Sequence, residues 1–253
     1  MNILITNDDG IDSPGILALV QALKNIGNVT VIAPDRQQSA VGHALTVSAP
    51  LRAVPFQRDG DLFGFAINGT PADCVKLGVS TLLETKPDLV VSGINHGANT
   101  AVNVMYSGTV SAATEAMMIG IPALAVSLTS FSLEADMSGA AEYAAKVAGN
   151  MLNWDIPIDT ILNMNVPAIP KEDIKGMRIT RLSNSHWDDS YDSRKDPMGR
   201  EYHWIVGTYR VPEEADIETD DGAVRNGWVS LTPVHYDLTH RKIVEQLKKI
   251  IIS

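Results

Sequence analysis

Cys74 is the only cysteine in this 253-residue chain, so no intramolecular disulfide can form, and a reducing compartment fits. Long apolar runs are missing as well: no stretch approaches the ~18 uninterrupted apolar residues of a membrane span. The opening MNILITNDDG has neither the positive start nor the long apolar run of a secretory leader. A soluble, cytoplasmic protein is expected. Positive charge is scarce, with 20 Lys and Arg against 30 Asp and Glu, a net charge of −10. That counts against a nucleic-acid polymer or an anionic membrane as partner, since either needs a basic field. A small anion stays admissible if a metal ion or a helix N-terminus supplies the local positive centre.

What is present is enough for one sizeable core. The chain is 45% apolar, and a fold of this length buries roughly three quarters of its unfolded surface. The patterning alternates strand with helix. Residues 2–7 read as a buried strand; Ile16, Leu19, Val20 and Leu23 make a helical stripe after Pro14; residues 28–34 read as the next strand. A helix from Thr70 to about Leu83 follows, then a strand at 88–94 and a helix from Thr109 to Ile119. A strand at 123–128, a helix over 134–152 and a strand at 160–166 complete the run. This order predicts an α/β fold: a Rossmann-like, mostly parallel sheet with helices on both faces.

Two stretches break the rhythm. Residues 42–68 read as an inserted antiparallel ribbon. Residues 186–226, with eleven acidic and five basic residues, read as an exposed loop or hairpin. A strand at 227–234 and a C-terminal arm follow, the arm carrying Ile243, Val244, Leu247, Ile250 and Ile251 on one helical face. The expected division is a catalytic core over 1–185 and, over 186–253, an excursion plus arm that is not an independent domain.

Four segments carry candidate chemistry at the carboxyl edge of such a sheet, where ligands of open α/β folds bind. Asp8 and Asp9 end the first strand. Neighbouring residues on a strand point to opposite faces, so these carboxylates converge only if the chain turns, which Gly10 permits. Converged, they make a hard oxygen site suited to Mg²⁺ or Mn²⁺; a polar turn in which Asp9 or Asp12 caps the next helix is the alternative. In the 35–39 loop, Ser39 can add a neutral oxygen and Arg36 can meet a phosphate, or both are simply solvated. Residues 92–99 offer the amide oxygens of Asn95 and Asn99 and a close approach at Gly97, or only a tight connection. His96, and with it His43, is a minor acid–base candidate. Ser107, Gly108 and Thr109 open a helix whose free amides can cradle a phosphate, or are an ordinary N-cap. Residues 1–20 and 92–115 contain no Lys or Arg, so an anion bound here is held by metal and amides rather than by salt bridges.

Several competing motifs are absent. There is no Walker A lysine loop, no Gly-x-Gly-x-x-Gly after the first strand and no Gly-x-Ser-x-Gly elbow. The adjacent aspartates are unlike the i, i+2 pair of haloacid-dehalogenase-type phosphatases.

ILITNDDGIDSPG at 3–15, VIAPDRQQSA at 31–40, VSGINHGANT at 91–100 and YSGTVSAATEA at 106–116, supported by GTPADCVKLG at 69–78 and LTPVHYDLT at 231–239, resemble the SurE family. These are stationary-phase survival proteins that act as 5′/3′-nucleotidases. The resemblance implies one divalent metal ion per subunit, bound by Asp8, Asp9, Ser39 and Asn95, with Asp8 and Asp9 catalytic. It places phosphate and substrate contacts at Ser39, Asn95, Gly97, Ser107, Gly108 and Thr109. It further implies hydrolysis of nucleoside 5′- and 3′-monophosphates, short polyphosphate as a side activity, and homodimers or homotetramers built through an exchanged C-terminal arm. Two other classes are weighed against it: a phospho-acceptor receiver module, for which the chain is too long, and a nucleotide-sensing protein that binds without turnover.

Overall fold

The computed structural model of the protein describes residues 1–212 and 216–251, without the side chain of Ile251. Nine strands form one sheet, in the order β3 (Ala53–Arg58), β4 (Asp61–Ile67), β2 (Asn28–Pro34), β1 (Asn2–Thr6), β5 (Leu89–His96), β6 (Ala123–Leu128), β7 (Ile161–Val166), β11 (Val229–Val234) and β8 (Met177–Ile179). Its centre is parallel: β1 (Asn2–Thr6) lies between β2 (Asn28–Pro34) and β5 (Leu89–His96), and β6 (Ala123–Leu128) and β7 (Ile161–Val166) continue outward from β5. The central strands are apolar on both sides because both faces are covered. Ile3 and Ile5 join one core with α1 (Pro14–Leu23) and α4 (Ser138–Met151). Leu4 joins the other, with α2 (Pro71–Leu77) and α3 (Gly108–Met118). Each such Ile or Leu, fully buried, is worth roughly 1.5–3 kcal/mol. The doubly covered α/β sheet is the architecture that the alternating pattern predicts.

The differences have local causes. The ribbon expected over 42–68 is confined to β3 (Ala53–Arg58) and β4 (Asp61–Ile67), and β4 pairs in parallel with β2, so the hairpin extends the main sheet. Upstream, the Thr46 amide donates to the Asp73 carboxylate of the α2 cap and the Arg52 amide to Asn68 Oδ1. Those donors are satisfied without a ladder, so no strand forms there. The helix expected from 134 begins at Ser138.

β8 (Met177–Ile179) has only three residues and no readable period. The excursion is a hairpin of β9 (His186–Lys195) and β10 (Glu201–Arg210), paired only with each other. Its acidic end departs from the expected exposure. Residues Asp220–Arg225 form α5, capped by Thr219, and turn inward. β11 (Val229–Val234) then enters the sheet antiparallel to β7, with β8 at its other side. The arm ends in α6 (Arg241–Ile251), where Ile243 and Leu247 are exposed; the last member of the apolar stripe expected there, Ile251, lies outside the described side chains. Among the described residues no helix is long and apolar enough to cross a membrane.

Candidate active site

Topology fixes the location. From β1 the chain winds one way through β2 to β4, then crosses to β5 and winds the other way through β6 to β7. The reversal leaves a crevice between the carboxyl ends of β1 and β5, the place where open α/β sheets bind ligands. Asp8 and Asp9 follow β1, and Asn95 and His96 end β5. Asn95 and His96 thus belong to the strand rather than to the loop after it. A register break between Ser92 and Asn95 re-aims this end of β5.

The turn after β1 is heavily pinned. Asn7 Nδ2 donates to Gly10 O at 2.9 Å and to Ser13 Oγ at 2.7 Å, and Gly10 has φ +97°, a left-handed conformation that favours glycine. Ser13, followed by Pro14, is the N-cap of α1, so neither Asp9 nor Asp12 has that role. Asp12 instead pairs with Arg58 at 2.5 Å.

Asp8 is buried, and its Oδ1 accepts a 2.5 Å hydrogen bond from Thr109 Oγ1. Burial pushes the Asp8 carboxyl up to about 6; the Thr109 hydroxyl pulls against this, and the charge of Asp9 adds to it. Gly108 completes the contact: a Cβ there would lie 2.7 Å from Asp8 Cβ and 3.0 Å from Oδ2. The first turn of α3 therefore abuts the Asp8 carboxylate. Ser107 caps α3 by accepting from the Val110 amide at 3.1 Å. The hydroxyls of Ser107 and Thr109 are thus engaged with the helix and with Asp8.

Asp9 Oδ2 accepts from the His96 amide at 3.2 Å and lies 3.2 Å from His96 Nδ1. The His96 ring is buried, and its Nε2 has no hydrogen-bond partner. The sequence underrates this histidine because a lone loop histidine is usually solvated; its position directly after Asn95 is the available signal. Asn95 Nδ2 donates to Gly97 O at 2.8 Å, which leaves its Oδ1 as the acceptor end. Gly97 is tied to packing: its amide donates to Leu128 O, and a Cβ would meet the Phe131 ring at 2.4 Å.

The 35–39 loop is stitched to the same turn, Gln38 N donating to Asp8 O at 2.7 Å and Ile11 N to Pro34 O at 2.9 Å. Ser39, exposed, accepts from Gln37 Nε2 at 2.8 Å. Arg36 shares with Asp9, His96 and Leu133 a cavity of about 300 Å³. His43 is elsewhere, with Nε2 2.9 Å from Glu115, which also binds Lys76.

The donor set suits one hard cation. Asp8 and Asp9 each spend one oxygen on these hydrogen bonds and keep the other. Among the described residues no three His, Cys, Asp or Glu side chains converge on a metal position, and the neutral oxygens that could add to the two carboxylates are those of Asn95 and Ser39.

Comparison with known proteins identifies the family. The family model "Survival protein SurE" matches residues 3–189. The 5′-nucleotidase SurE of Christiangramia forsetii is 44% identical over 97% of this chain and 95% of its own length. That of Geobacter sulfurreducens is 49% identical over 95% and 90%. The crystal structure of the SurE protein from Aquifex aeolicus superposes with a TM-score of 0.84 at 41% identity, covering 99% of both chains. With the matching model spanning most of its length and relatives aligned end to end, the chain belongs to the SurE family.

Proposed function

We propose that the protein is a divalent-metal-dependent phosphomonoesterase that hydrolyses nucleoside 5′- and 3′-monophosphates to nucleoside and inorganic phosphate. The relatives named 5′-nucleotidase support the substrate class. The observation that carries the chemistry is the meeting of Asp8, Asp9 and the first turn of α3 at the strand-order reversal.

Asp8, Asp9, Asn95 and Ser39 would hold one Mg²⁺ or Mn²⁺ per subunit. When bound, the ion offsets negative charge on a phosphate oxygen. The residues do the rest by positioning. Thr109 fixes the Asp8 carboxylate, and His96 fixes that of Asp9. The amides at the start of α3 take further phosphate oxygens, Gly108 allowing the close approach. Held this way, phosphorus is open to in-line attack by water, and fixed geometry supplies much of the rate. Attack by an Asp8 or Asp9 oxygen through an aspartyl-phosphate is the competing route. Stereochemistry at phosphorus, read with an ester whose phosphate is made chiral by oxygen isotopes and sulfur, separates the two, because one in-line displacement inverts configuration and two in succession retain it.

The test is phosphate release from a panel of nucleotides, with and without added Mg²⁺ or Mn²⁺. Release that depends on metal is expected for monophosphates, with slower release from short polyphosphate. Tight nucleotide binding without release under any metal refutes the reading and marks a sensing protein instead.

Assembly into homodimers or homotetramers through the arm belongs to the same proposal. An amphipathic helix with exposed Ile243 and Leu247 calls for cover. A cytoplasmic location does too, supported by the single, buried and unbridged Cys74.

A further inference from the structure

Between the β5 end carrying Asn95 and the Ser107–Thr109 turn the chain crosses Asn99, Thr100 and Ala101, all buried. Side chains from distant elements grip the backbone of this segment. Asn165 Oδ1 accepts from the Asn99 amide at 2.8 Å, and Asn163 Nδ2 donates to the Asn99 carbonyl at 2.8 Å. Asp221 Oδ1 accepts from Thr100 Oγ1, and Asp220 Oδ2 from the Ala101 amide, both at 2.8 Å. Ala101 has φ +50°, uncommon for a residue with a Cβ, so it is held there by its surroundings.

Asp220 is 0% and Asp221 4% exposed, and among the described residues neither pairs with a Lys, Arg or His. Two adjacent buried carboxylates without a cation are costly unless every oxygen is used. Here they are. Asp220 Oδ1 also accepts the amides of Ser183 and Asp221, and Asp221 Oδ2 accepts the hydroxyls of Ser183 and Tyr209.

We infer that Asp220 and Asp221 are positioning residues for the phosphatase reaction: through Thr100 and Ala101 they set the placement of the β5 end carrying Asn95 relative to the α3 turn carrying Ser107–Thr109. This rests on the function proposed above. Neither carboxylate touches the reacting atoms.

The two aspartates differ in the kind of donor that each accepts from. All partners of Asp220 are backbone amides, which can only donate. All partners of the Asp221 carboxylate are hydroxyls, which can reverse and accept. An amide side chain is therefore tolerated at 221 and opposed at 220.

The experiment compares Asp221→Ala, Asp221→Asn, Asp220→Asn and Thr100→Val in the full chain. A control, Leu231→Ala, is destabilised from β11, where Leu231 is buried in the core. kcat and KM are measured on a nucleoside monophosphate with saturating Mn²⁺, well below every melting midpoint. Asp221→Ala, Asp220→Asn and Thr100→Val should lower kcat by about tenfold or more while KM moves by less than about threefold. Asp221→Asn should stay within about threefold of wild type, and Leu231→Ala should melt lower with kcat retained. Thr100→Val carries the test if an aspartate variant fails to fold. Wild-type kcat in Thr100→Val and Asp221→Ala overturns the inference, as does equal damage from Asn and Ala at 221, or an equal kcat loss in Leu231→Ala. No phosphate release by the wild type overturns the functional reading itself, and the inference with it.

Discussion

Gly108→Ala isolates the contact between α3 and Asp8. In an ordinary helix the change stabilises, by roughly 0.4–1 kcal/mol, because alanine loses less backbone freedom on folding. At 108 the added methyl would lie 2.7 Å from Asp8 Cβ, 3.0 Å from Asp8 Oδ2 and 3.1 Å from Pro71 Cγ. Asp8 has little room to retreat, since its carbonyl holds the Gln38 amide and its carboxylate holds Thr109. Overpacking of this kind costs about 1–3 kcal/mol, so the net loss is about 1–2 kcal/mol. That corresponds to a fall of roughly 2–8 °C in the melting midpoint of a chain this size. Activity should suffer more. Displacing a reacting group by ~1 Å costs on the order of 100-fold, and a shift of several tenths should cost tenfold or more. Gly149→Ala on α4 is the control: its methyl meets nothing closer than Ile26 Cδ1 at 3.9 Å. It should melt slightly higher with full activity. Calorimetric melting and phosphate release on the two variants decide the matter. A Gly108→Ala protein that melts higher and turns over at the wild-type rate refutes the argument.

Asp8→Asn and Asp9→Asn should each abolish phosphate release with the fold intact, because a hard cation loses one of its two charged ligands; wild-type turnover in either would falsify the assignment. Thr109→Val removes the 2.5 Å donor to Asp8, a bond to a charged group worth about 1.5–3 kcal/mol, and kcat/KM should drop roughly ten- to a hundredfold; unchanged kinetics count against it. Glu115 is buried, and the His43 hydrogen bond, with Lys76 adding, holds its carboxyl below the ordinary 4.5. Its stabilising contribution is therefore present above that value and lost as pH falls below it, so the advantage of wild type over Glu115→Gln in urea melts should be clear at neutral pH and shrink as the solution is acidified below the ordinary carboxylate value; a pH-independent difference would contradict this. Truncation after Leu238 should give a smaller, stickier particle by sedimentation, and an unchanged oligomer would show that the arm is not the assembly device.

Elements with a long apolar period were legible because burial imposes that period: β1, α1, β2, α3 and β6 fall within a residue or so of where the pattern puts them. Asp8 and Asp9 stood out because a charged pair at the end of a buried strand needs a chemical reason. Other parts were set by tertiary contacts. The 45–52 stretch reads as a strand, yet the Thr46 amide goes to a helix cap and the Arg52 amide to the Asn68 side chain. Asp220 and Asp221 sit in an acid-rich stretch and read as solvated, because composition cannot reveal that amides and hydroxyls from three other segments converge on them. His96 was similarly opaque, since its partner Asp9 is 87 positions away.

The long excursion between β8 and β11 has a neck. Arg181 N donates to Glu218 O at 3.0 Å, and Asp220 N returns the bond to Arg181 O at 2.9 Å. Once those bonds close, the sheet is indifferent to how much chain lies beyond them. Loop-closure entropy grows only logarithmically, about 0.6 kcal/mol for each doubling of length. Cross-strand pairs, by contrast, are added or removed two residues at a time without exchanging the faces of the hairpin. The reach of this projection is therefore a nearly free variable of the sequence, adjustable at its tip while the base near Trp187 and Tyr209 stays anchored through Asn103 and Asp221.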